Sequence, residues 1–331
     1  MRMFVFLLTL MLTSCAADQP PAPEVPAGPA LLADLGKQLF FDKRLSGAGQ
    51  MSCETCHLPE KGWTDGLALS TRADGTVNTR HTPTLYNVSV YQQYYWDGRA
   101  ATLEAQILAA WRGQMGGNPE MAAAALDAIP LYKASFERLA GGPPSQERIV
   151  NALAAFVRTL ESKDSPWDRY EANDRTAVSA DAIAGFDIYS TKGQCTLCHL
   201  PPNQTDAMFH NVGIGFDKPM PDQGRGGFLT TQLTQQNGGT PEQQAEAKAM
   251  AGAFKTPTLR SITETAPYFH DGRSATLEEA VDLVLAGGIR NPNLDAKLKP
   301  ATLTPEERGQ LLAFLRALTP AAQPFERPTL P

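Results

Sequence analysis

Two short segments of this chain place cysteine and histidine at identical spacing. Residues 53–57 read Cys-Glu-Thr-Cys-His, and residues 195–199 read Cys-Thr-Leu-Cys-His. The pattern Cys-x-x-Cys-His is the attachment signature of c-type haem. The two thiols bind the haem covalently, and the adjacent imidazole supplies an axial nitrogen to the iron. The sequence therefore predicts two covalently bound haem c groups, with the attachment residues Cys53, Cys56, His57, Cys195, Cys198 and His199.

Other uses of paired cysteines explain these segments less well. A disulfide pair needs no histidine after it, and a zinc ribbon uses Cys-x-x-Cys pairs without one. A thioredoxin-like dithiol needs a βαβ setting, which the sequence lacks. Of these chemistries, haem attachment alone uses both cysteines and the histidine of each copy.

The amino terminus resembles an export signal. Residues 1–14 carry one positive charge at Arg2, then a short apolar run and small residues before Cys15. The run is too short to span a bilayer comfortably. Residues 12–15 read Leu-Thr-Ser-Cys, which is typical of a bacterial lipobox and predicts lipidation of Cys15 after cleavage. The alternative is an ordinary signal peptide with an incidental cysteine.

The expected location follows from this leader. Residues 15–30 are rich in proline and alanine, so we expect a tether. The predicted protein is lipid-anchored on the periplasmic side of a bacterial membrane, with the outer membrane as the expected one. Without lipidation it would be a soluble periplasmic protein. The oxidising compartment suits covalent haem attachment, because haem c is matured outside the cytoplasm.

Composition limits the classes of protein and partner. The chain has 331 residues, of which 42% are hydrophobic and 19% charged, and its net charge is −6. That hydrophobic content is enough for a packed core and excludes wholesale disorder. The acidic balance argues against nucleic acid as a partner.

An internal repeat indicates that the chain is a duplicated unit. Thr-Pro-Thr-Leu begins at residue 82 and again at 256, an offset of 174. At the same offset, aromatic residues followed by Asp-Gly-Arg recur, and then Ala-Thr-Leu-Glu. No gap is needed between residues 82–104 and 256–278. Each copy follows one of the two haem motifs, so we expect two haem units.

The remaining pattern is helical. Apolar residues recur at helical spacing over 31–41, 120–129, 146–160, 180–190, 277–286 and 305–318. Residues 217–240 are rich in Gly, Gln and Thr, and we expect a long loop there that covers a haem. The predicted fold is all-α, with two c-type cytochrome domains in tandem and long ordered loops. The expected bounds are 31–170 with an interdomain helix at 146–170, then 171–320, and a tail at 321–331.

Several longer motifs resemble those of a known family. The chain is similar to the bacterial dihaem cytochrome c peroxidase/MauG superfamily over residues 31–318. The motifs that carry the resemblance are Leu45-Ser46-Gly47, Trp63-Thr64-Asp65-Gly66, Thr82-Pro83-Thr84, Trp96-Asp97-Gly98-Arg99-Ala100, Phe156-Val157-Arg158-Thr159-Leu160, Ser165-Pro166-Trp167-Asp168-Arg169-Tyr170 and Pro267-Tyr268-Phe269-His270-Asp271-Gly272.

The resemblance implies a role for particular residues. The haem at His57 would react with peroxide, and the haem at His199 would store or deliver an electron. Trp96 matches the tryptophan that passes charge between the two haems; the alternative is an ordinary core aromatic. Gln106 matches a glutamine of the peroxide pocket, with a polar helix-face residue as the alternative.

Two departures from the family concern the haem axial positions. Cytochrome c peroxidases carry a capping histidine upstream of the Thr-Pro-Thr motif, whereas residues 70–75 contain none. We therefore expect an open sixth position at the N-terminal iron. The C-terminal haem of the family takes Met or Tyr at the position of Val284, which cannot bind iron. That haem would be five-coordinate, or take a substitute ligand from Met208, His210, Met220 and Tyr268.

A third departure concerns an acid of the peroxide pocket. Gln114 stands where the family has the acid that shuttles peroxide protons, and glutamine cannot titrate. Glu104 and Glu120 are fallback acids, although ordinary helix positions suit them better.

The resemblance also implies an interdomain calcium site with carbonyls of Thr265 and Pro267. His81 stands at the asparagine ligand, and imidazole suits Ca²⁺ poorly. We expect His81 to be a buried hydrogen-bonding residue and His270 to support a haem propionate.

These observations predict an exported dihaem c-type oxidoreductase. It would use hydrogen peroxide to oxidise a small electron-transfer protein through a high-valent haem. A second hypothesis is MauG-like oxidation of Trp or Tyr on a specific protein substrate. A third is a dihaem electron carrier or sensor without enzymatic activity, which Gln114 and Val284 favour.

Overall fold

The computed structural model describes residues 29–322 and 324–331, which are mainly α-helical. The strands β1 (Phe209–His210) and β2 (Phe254–Lys255) form one short antiparallel ladder. The rest of the described chain is ordered loop and short 3₁₀ turns. The all-α prediction is confirmed. The helices are α1 (Pro29–Phe41), α2 (Leu103–Gly113), α3 (Pro119–Asp127), α4 (Pro130–Leu139), α5 (Gln146–Val157), α6 (Pro166–Glu171), α7 (Ala180–Ser190), α8 (Gly224–Gln235), α9 (Pro241–Ala249), α10 (Leu277–Leu285) and α11 (Pro305–Ala317).

The helices enclose two separate hydrophobic cores. The first is built from α1 to α5, with Tyr132 and Phe136 among its fully buried side chains. The second is built mainly from α7, α10 and α11, with Tyr189 and Phe314 fully buried. Cys53 packs against the first core and Cys195 against the second. Each haem motif therefore has its own packed support.

Both cores contain the same close helix crossing. A Cβ atom on Gly36 of α1 would lie 1.9 Å from the carbonyl oxygen of Ala152 in α5. A Cβ atom on Gly185 of α7 would lie 1.9 Å from the carbonyl oxygen of Gln310 in α11. Glycine lets the two backbones touch in each pair, so α1–α5 and α7–α11 are equivalent elements of the duplication.

Gly185→Ala should destabilise the C-terminal core. The added methyl overlaps a backbone carbonyl, so the helices must separate, and we expect a loss of about 3 kcal/mol in the free energy of unfolding. Gly309→Ala in α11 is the matched control, because nothing lies within 4 Å of its Cβ position. That change should be neutral or stabilise by about 0.5–1 kcal/mol. Denaturant unfolding of the haem-loaded protein measures both. Equal stability of the two variants would contradict this packing.

Each copy of the repeat donates an equivalent backbone hydrogen bond to the other copy. The backbone N–H of His81 donates to the carbonyl of His270 at 2.7 Å, and the N–H of Lys255 donates to the carbonyl of Trp96 at 2.8 Å. Donors and acceptors are each 174 residues apart in sequence. The two copies of the repeat therefore face each other with approximate twofold symmetry, and Trp96 lies at their contact.

Two expectations about local structure were wrong. The helix expected over 146–170 is divided, because α5 ends at Val157 and α6 begins at Pro166. A residue before proline is disfavoured in a helix, and Ser165 instead caps α6 by accepting from the N–H of Asp168. The loop expected over 217–240 contains α8, and none of its residues lines a haem cavity. The glycine at 226 lets α8 pack closely on α9.

The end of the chain returns to the N-terminal core. We call residues 324–331 the C-terminal strap. Phe325 stacks on Phe41 with ring centroids 5.5 Å apart and meets Trp63 edge-on at 5.0 Å. Arg327 forms ion pairs with Glu54, inside the first haem motif, and with Glu60 at 2.7 Å. The strap therefore fastens the C-terminal part of the chain to the N-terminal haem segment.

The signal peptide, the lipid on Cys15 and residues 15–28 of the expected tether lie outside the described residues. The last two residues of that tether, 29 and 30, instead begin α1. Within residues 29–322 and 324–331, no helix is both long and apolar enough to cross a membrane.

Candidate functional site

The first haem motif forms a tight turn that presents a ready ligand. Cys53–Thr55 is a 3₁₀ turn, and the backbone N–H of His57 donates to the carbonyl of Cys53 at 3.0 Å. The imidazole Nδ1 of His57 donates to the carbonyl of Trp63 at 2.8 Å, which leaves Nε2 unprotonated. Burial lowers the pKa of His57. The imidazole is therefore neutral and oriented, as an iron ligand must be.

The second motif repeats this arrangement. Cys195–Leu197 is a 3₁₀ turn, and the N–H of His199 donates to the carbonyl of Cys195 at 2.8 Å. Nδ1 of His199 donates to the carbonyl of Gln204 at 2.9 Å, so Nε2 again carries the free lone pair. Burial lowers the pKa of His199 as well.

Each motif opens onto a cavity lined mainly by apolar side chains. The first cavity measures about 470 Å³ and contains the thiols of Cys53 and Cys56 with His57 on its wall. The second measures about 250 Å³ and is lined by the equivalent residues 195, 198 and 199. Burial raises the pKa of Cys53 and Cys195 to about 12, so neither is a reactive thiolate. The donor set and the apolar walls fit haem c at both sites.

Six residues line both cavities and form the wall between them. Trp96 is the largest of them, and its indole Nε1 donates to the carbonyl of His81 at 2.9 Å. Its ring lies 6.5 Å, centroid to centroid, from the ring of His270 in the second cavity. Trp96 is therefore fixed at the boundary by hydrogen bonds on both its side chain and its backbone. The shared residues are Trp96, Lys255, Pro257, Ile262, Tyr268 and Phe269.

The first cavity contains two amide groups with unsatisfied oxygens. Gln106 on α2 and Gln114 at the end of α2 both line it, and each has a buried Oε1 atom without a hydrogen-bond partner. Buried amide oxygens without partners are uncommon. Their presence here is consistent with acceptors reserved for a ligand that can donate hydrogen bonds.

Among the described residues that line the first cavity there is no carboxylate. The fallback acid Glu104 forms an ion pair with Arg158 at 2.7 Å, and Glu120 is exposed at the start of α3. Neither lines the cavity, so ordinary helix positions describe both. Among the described residues, no carboxylate on this wall is available to relay protons.

Sequence reasoning missed Lys255. Its ammonium donates to the carbonyl of Gln93 at 2.8 Å and lies 3.8 Å from the ring centroid of Tyr91. Burial lowers its pKa to about 7. Lys255 stands 174 residues after His81 in the repeat, so the duplication pointed to this position although it did not indicate its chemistry.

Three candidate sixth ligands of the C-terminal haem are poorly placed. Val284 lines the second cavity, as expected of the residue at the ligand position. Met208 and Met220 are 61% and 90% exposed and do not line it. Tyr268 does line the cavity, but its hydroxyl donates to the carbonyl of Ile262 at 3.0 Å.

The fourth candidate, His210, has both ring nitrogens engaged. Nε2 lies 2.8 Å from a carboxylate oxygen of Asp206, and Nδ1 lies 2.5 Å from one of Asp295. Both ring nitrogens are held by carboxylates, so His210 presents no free lone pair to iron.

His270 is buried in the second cavity and stacks on Phe254, with ring centroids 3.6 Å apart. Burial lowers the pKa of His270 to about 4, so its ring is neutral at physiological pH. Its support of a haem propionate stays a prediction.

The expected calcium site would combine the position of His81 with the carbonyls of Thr265 and Pro267. His81 is buried, and its Nδ1 donates to the carbonyl of Leu67 at 2.7 Å. Thr265 and Pro267 line the first cavity. An imidazole already engaged with a carbonyl is a poor calcium ligand. This donor set fits calcium poorly, and no step of the chemistry is assigned to it.

Comparisons with known proteins agree with this site. The sequence profile described as di-haem cytochrome c peroxidase matches residues 31–176. The cytochrome-c peroxidase IdrP1 of Denitromonas iodatirespirans is 38% identical over 323 residues, covering 91% of this chain and 85% of that protein. The chain belongs to the di-haem cytochrome c peroxidase family. This family assignment accounts for both motifs and for the cavities behind them.

Two other similarities place the chain within this peroxidase family. The methylamine utilization protein MauG of Methylorubrum extorquens is 36% identical over 301 residues, covering 90% of this chain and 80% of MauG. A crystal structure of a MauG-like protein associated with microbial copper homeostasis matches with a TM-score of 0.75 and 28% identity, covering 93% of this chain and 96% of that one. The di-haem peroxidase fold therefore extends over nearly the whole described chain.

Proposed function

We propose that this protein is a di-haem peroxidase that reduces hydrogen peroxide with electrons from a small redox protein. The observation that carries the proposal is the meeting of two haem cavities at Trp96, with His57 and His199 each presenting Nε2 to its own cavity. Two redox centres separated by one aromatic side chain suit the reduction of peroxide, because this reaction needs two electrons and a small redox protein delivers them one at a time. Each attachment motif belongs to one of two proposed c-type cytochrome domains in tandem, 31–170 and 171–320, and residues of both domains form the wall between the cavities.

The N-terminal haem is the peroxide-reacting centre of this proposal. Haem c, when bound, supplies the redox chemistry there, and the chain supplies the pocket. No histidine stands in residues 70–75 to occupy the open side. The unpartnered amide oxygens of Gln106 and Gln114 accept hydrogen bonds from the two O–H groups of peroxide and hold it in place.

The C-terminal haem exchanges electrons with the partner. The four candidate ligands are exposed or already engaged in hydrogen bonds, so His199 would be the residue that holds this haem iron. Trp96 carries charge between the two centres, since it alone among the residues lining both cavities has an indole ring.

A second candidate is oxidation of Trp or Tyr on a partner protein, as a MauG-like enzyme. It is favoured by the 36% identity to MauG and by the absence of a capping histidine. Val284 at the position of the family ligand weakens this second candidate.

The proposed setting of the protein is the periplasmic side of a bacterial membrane, with a lipid on Cys15. The imidazole of His81 at the expected ligand position argues against calcium between the domains.

The test is stopped-flow absorbance of the oxidised, haem-loaded protein mixed with stoichiometric peroxide, without prior reduction. We expect a rapid absorbance change from the N-terminal haem, which would also permit trials of partner proteins as substrates. A reaction only after one-electron reduction would mean that a hidden ligand caps this iron. If neither state reacts, the peroxidase proposal is wrong and the electron carrier or sensor is correct.

A further inference from the structure

The first cavity is lined by three arginines, and only one of them lacks a carboxylate partner. Arg80 pairs with Asp97 and Asp222, each at 2.6 Å. Arg99 also pairs with Asp97, at 3.0 Å. Arg72 forms no ion pair with any described residue, and its Nε donates to the neutral side-chain oxygen of Asn78 at 2.7 Å. Arg72 therefore brings an unneutralised positive charge to this wall.

The segment that carries Arg72 is held against the glutamine side of the cavity. The backbone N–H of Ala73 donates to the carbonyl of Gln114 at 2.8 Å, and the N–H of Arg72 donates to the carbonyl of Thr76 at 2.8 Å. A bridge between Thr71 and Val77 closes the turn. The backbone of the turn that carries the half-buried Arg72 is thus fixed against Gln114, the residue that stands at the position of the family acid.

The terminal nitrogens of Arg72 have no hydrogen-bond partner among the described residues. They line the same cavity as the unpartnered oxygens of Gln106 and Gln114. The wall therefore combines guanidinium donors with amide acceptors and, among the described residues, contains no carboxylate. That set binds a small molecule with both donor and acceptor oxygens, and it stabilises negative charge without transferring a proton itself.

We propose that Arg72 is a catalytic residue that stabilises the departing oxygen of peroxide. This inference rests on the proposed function. When the O–O bond of H₂O₂ breaks, its electron pair leaves with the far oxygen, whose negative charge the guanidinium binds. The proton lost by the near oxygen passes to the far one, which leaves as water. Two electrons from the redox protein and two protons from solvent reduce the remaining oxygen to a second water.

The experiment compares Arg72→Ala, Arg72→Lys and Arg112→Ala with the unmodified, haem-loaded protein. Arg112 is on α2 but points to Gln146 outside the cavity, so its variant is the matched control. The first readout is the second-order rate constant for peroxide by stopped flow. The second is the dissociation constant of fluoride for the ferric protein, since an anion bound at the open position needs the same donors as the departing oxygen.

We expect Arg72→Ala to lower the peroxide rate constant about 100-fold and to weaken fluoride binding about 10-fold, with haem content unchanged. Arg72→Lys should recover part of both effects, and Arg112→Ala should match the unmodified protein. Unchanged fluoride affinity in Arg72→Ala would overturn the proposal. If Arg72→Ala instead loses haem or shifts the haem potential while fluoride affinity is unchanged, the proposal is also wrong. Arg72 would then bind a haem propionate.

The two readouts separate this inference from the proposed function. If the unmodified protein does not react with peroxide, the peroxidase proposal fails, and the catalytic role of Arg72 fails with it. The fluoride titration in that case still shows whether Arg72 faces the open position. If the unmodified protein reacts and Arg72→Ala reacts equally fast, only the role of Arg72 is wrong.

Discussion

Replacing Trp96 with phenylalanine is expected to disconnect the two haem centres while leaving peroxide binding intact. Trp96 lines both cavities, and its ring approaches His270 on the second side. Phenylalanine keeps the apolar contact but is much harder to oxidise, and it loses the indole hydrogen bond to the carbonyl of His81, worth about 1 kcal/mol. We expect turnover with a reduced small c-type cytochrome to fall about 100-fold, equivalent to ~2.7 kcal/mol of barrier.

The measurement pairs steady-state turnover with single-turnover stopped flow. Turnover should fall, whereas the initial reaction of the N-terminal haem with peroxide should keep its rate. Trp111→Phe is the matched control: the indole of Trp111 lines only the first cavity, and its Nε1 donates to the carbonyl of Leu45 at 2.6 Å. Both variants lose an indole and one hydrogen bond. Equal turnover in both would mean that electrons reach the peroxide site by another route.

The haem sites could be predicted from the sequence because their determinants are local. Five consecutive residues specify each attachment turn, and the hydrogen bonds that orient His57 and His199 close within six residues. The duplication was also visible, since the repeat has a constant offset. What the offset could not show is that His81 and Lys255 donate equivalent hydrogen bonds across the contact between the copies. That exchange depends on how the two units dock.

Errors of secondary structure came from composition. Residues 217–240 were expected to be a loop because glycine, glutamine and threonine are abundant there. In the structure, Gly226 of α8 approaches the backbone of α9 so closely that a Cβ atom would lie 2.5 Å from the carbonyl oxygen of Ala247. Glycine serves packing at this position rather than flexibility. The strap was missed for a related reason, since Phe325 and Arg327 follow no periodic pattern.

Residues that act at a distance from their motif were the hardest to find. In the sequence, residues 70–75 are notable only because they lack a histidine. That Arg72 lines the first cavity is visible only in the three-dimensional structure. Arg72 stands with Gln114, 42 positions later in the chain, on the wall of one cavity. A cavity wall with an unpaired arginine and no carboxylate suits electrostatic stabilisation better than proton relay.

Val284→Met is expected to restore a sixth ligand to the C-terminal haem. Val284 lies on α10 and lines the second cavity, at the position where the resemblance places the family ligand. A methionine thioether there should bind the iron and raise the haem potential by on the order of 100 mV. Redox titration followed by absorbance measures the shift, and the charge-transfer band of a methionine–iron bond should appear in the ferric spectrum.

Val284→Leu is the control, because leucine fills about the same volume as methionine and has no ligand atom. It should leave both the potential and the spectrum close to those of the unmodified protein. If the two variants behave alike, Val284 does not face the iron, and another residue closes the sixth position. If only methionine raises the potential, the natural valine keeps this haem five-coordinate and holds its potential low. The electron then passes from the C-terminal haem to the peroxide site with a larger driving force than a methionine-ligated haem would give.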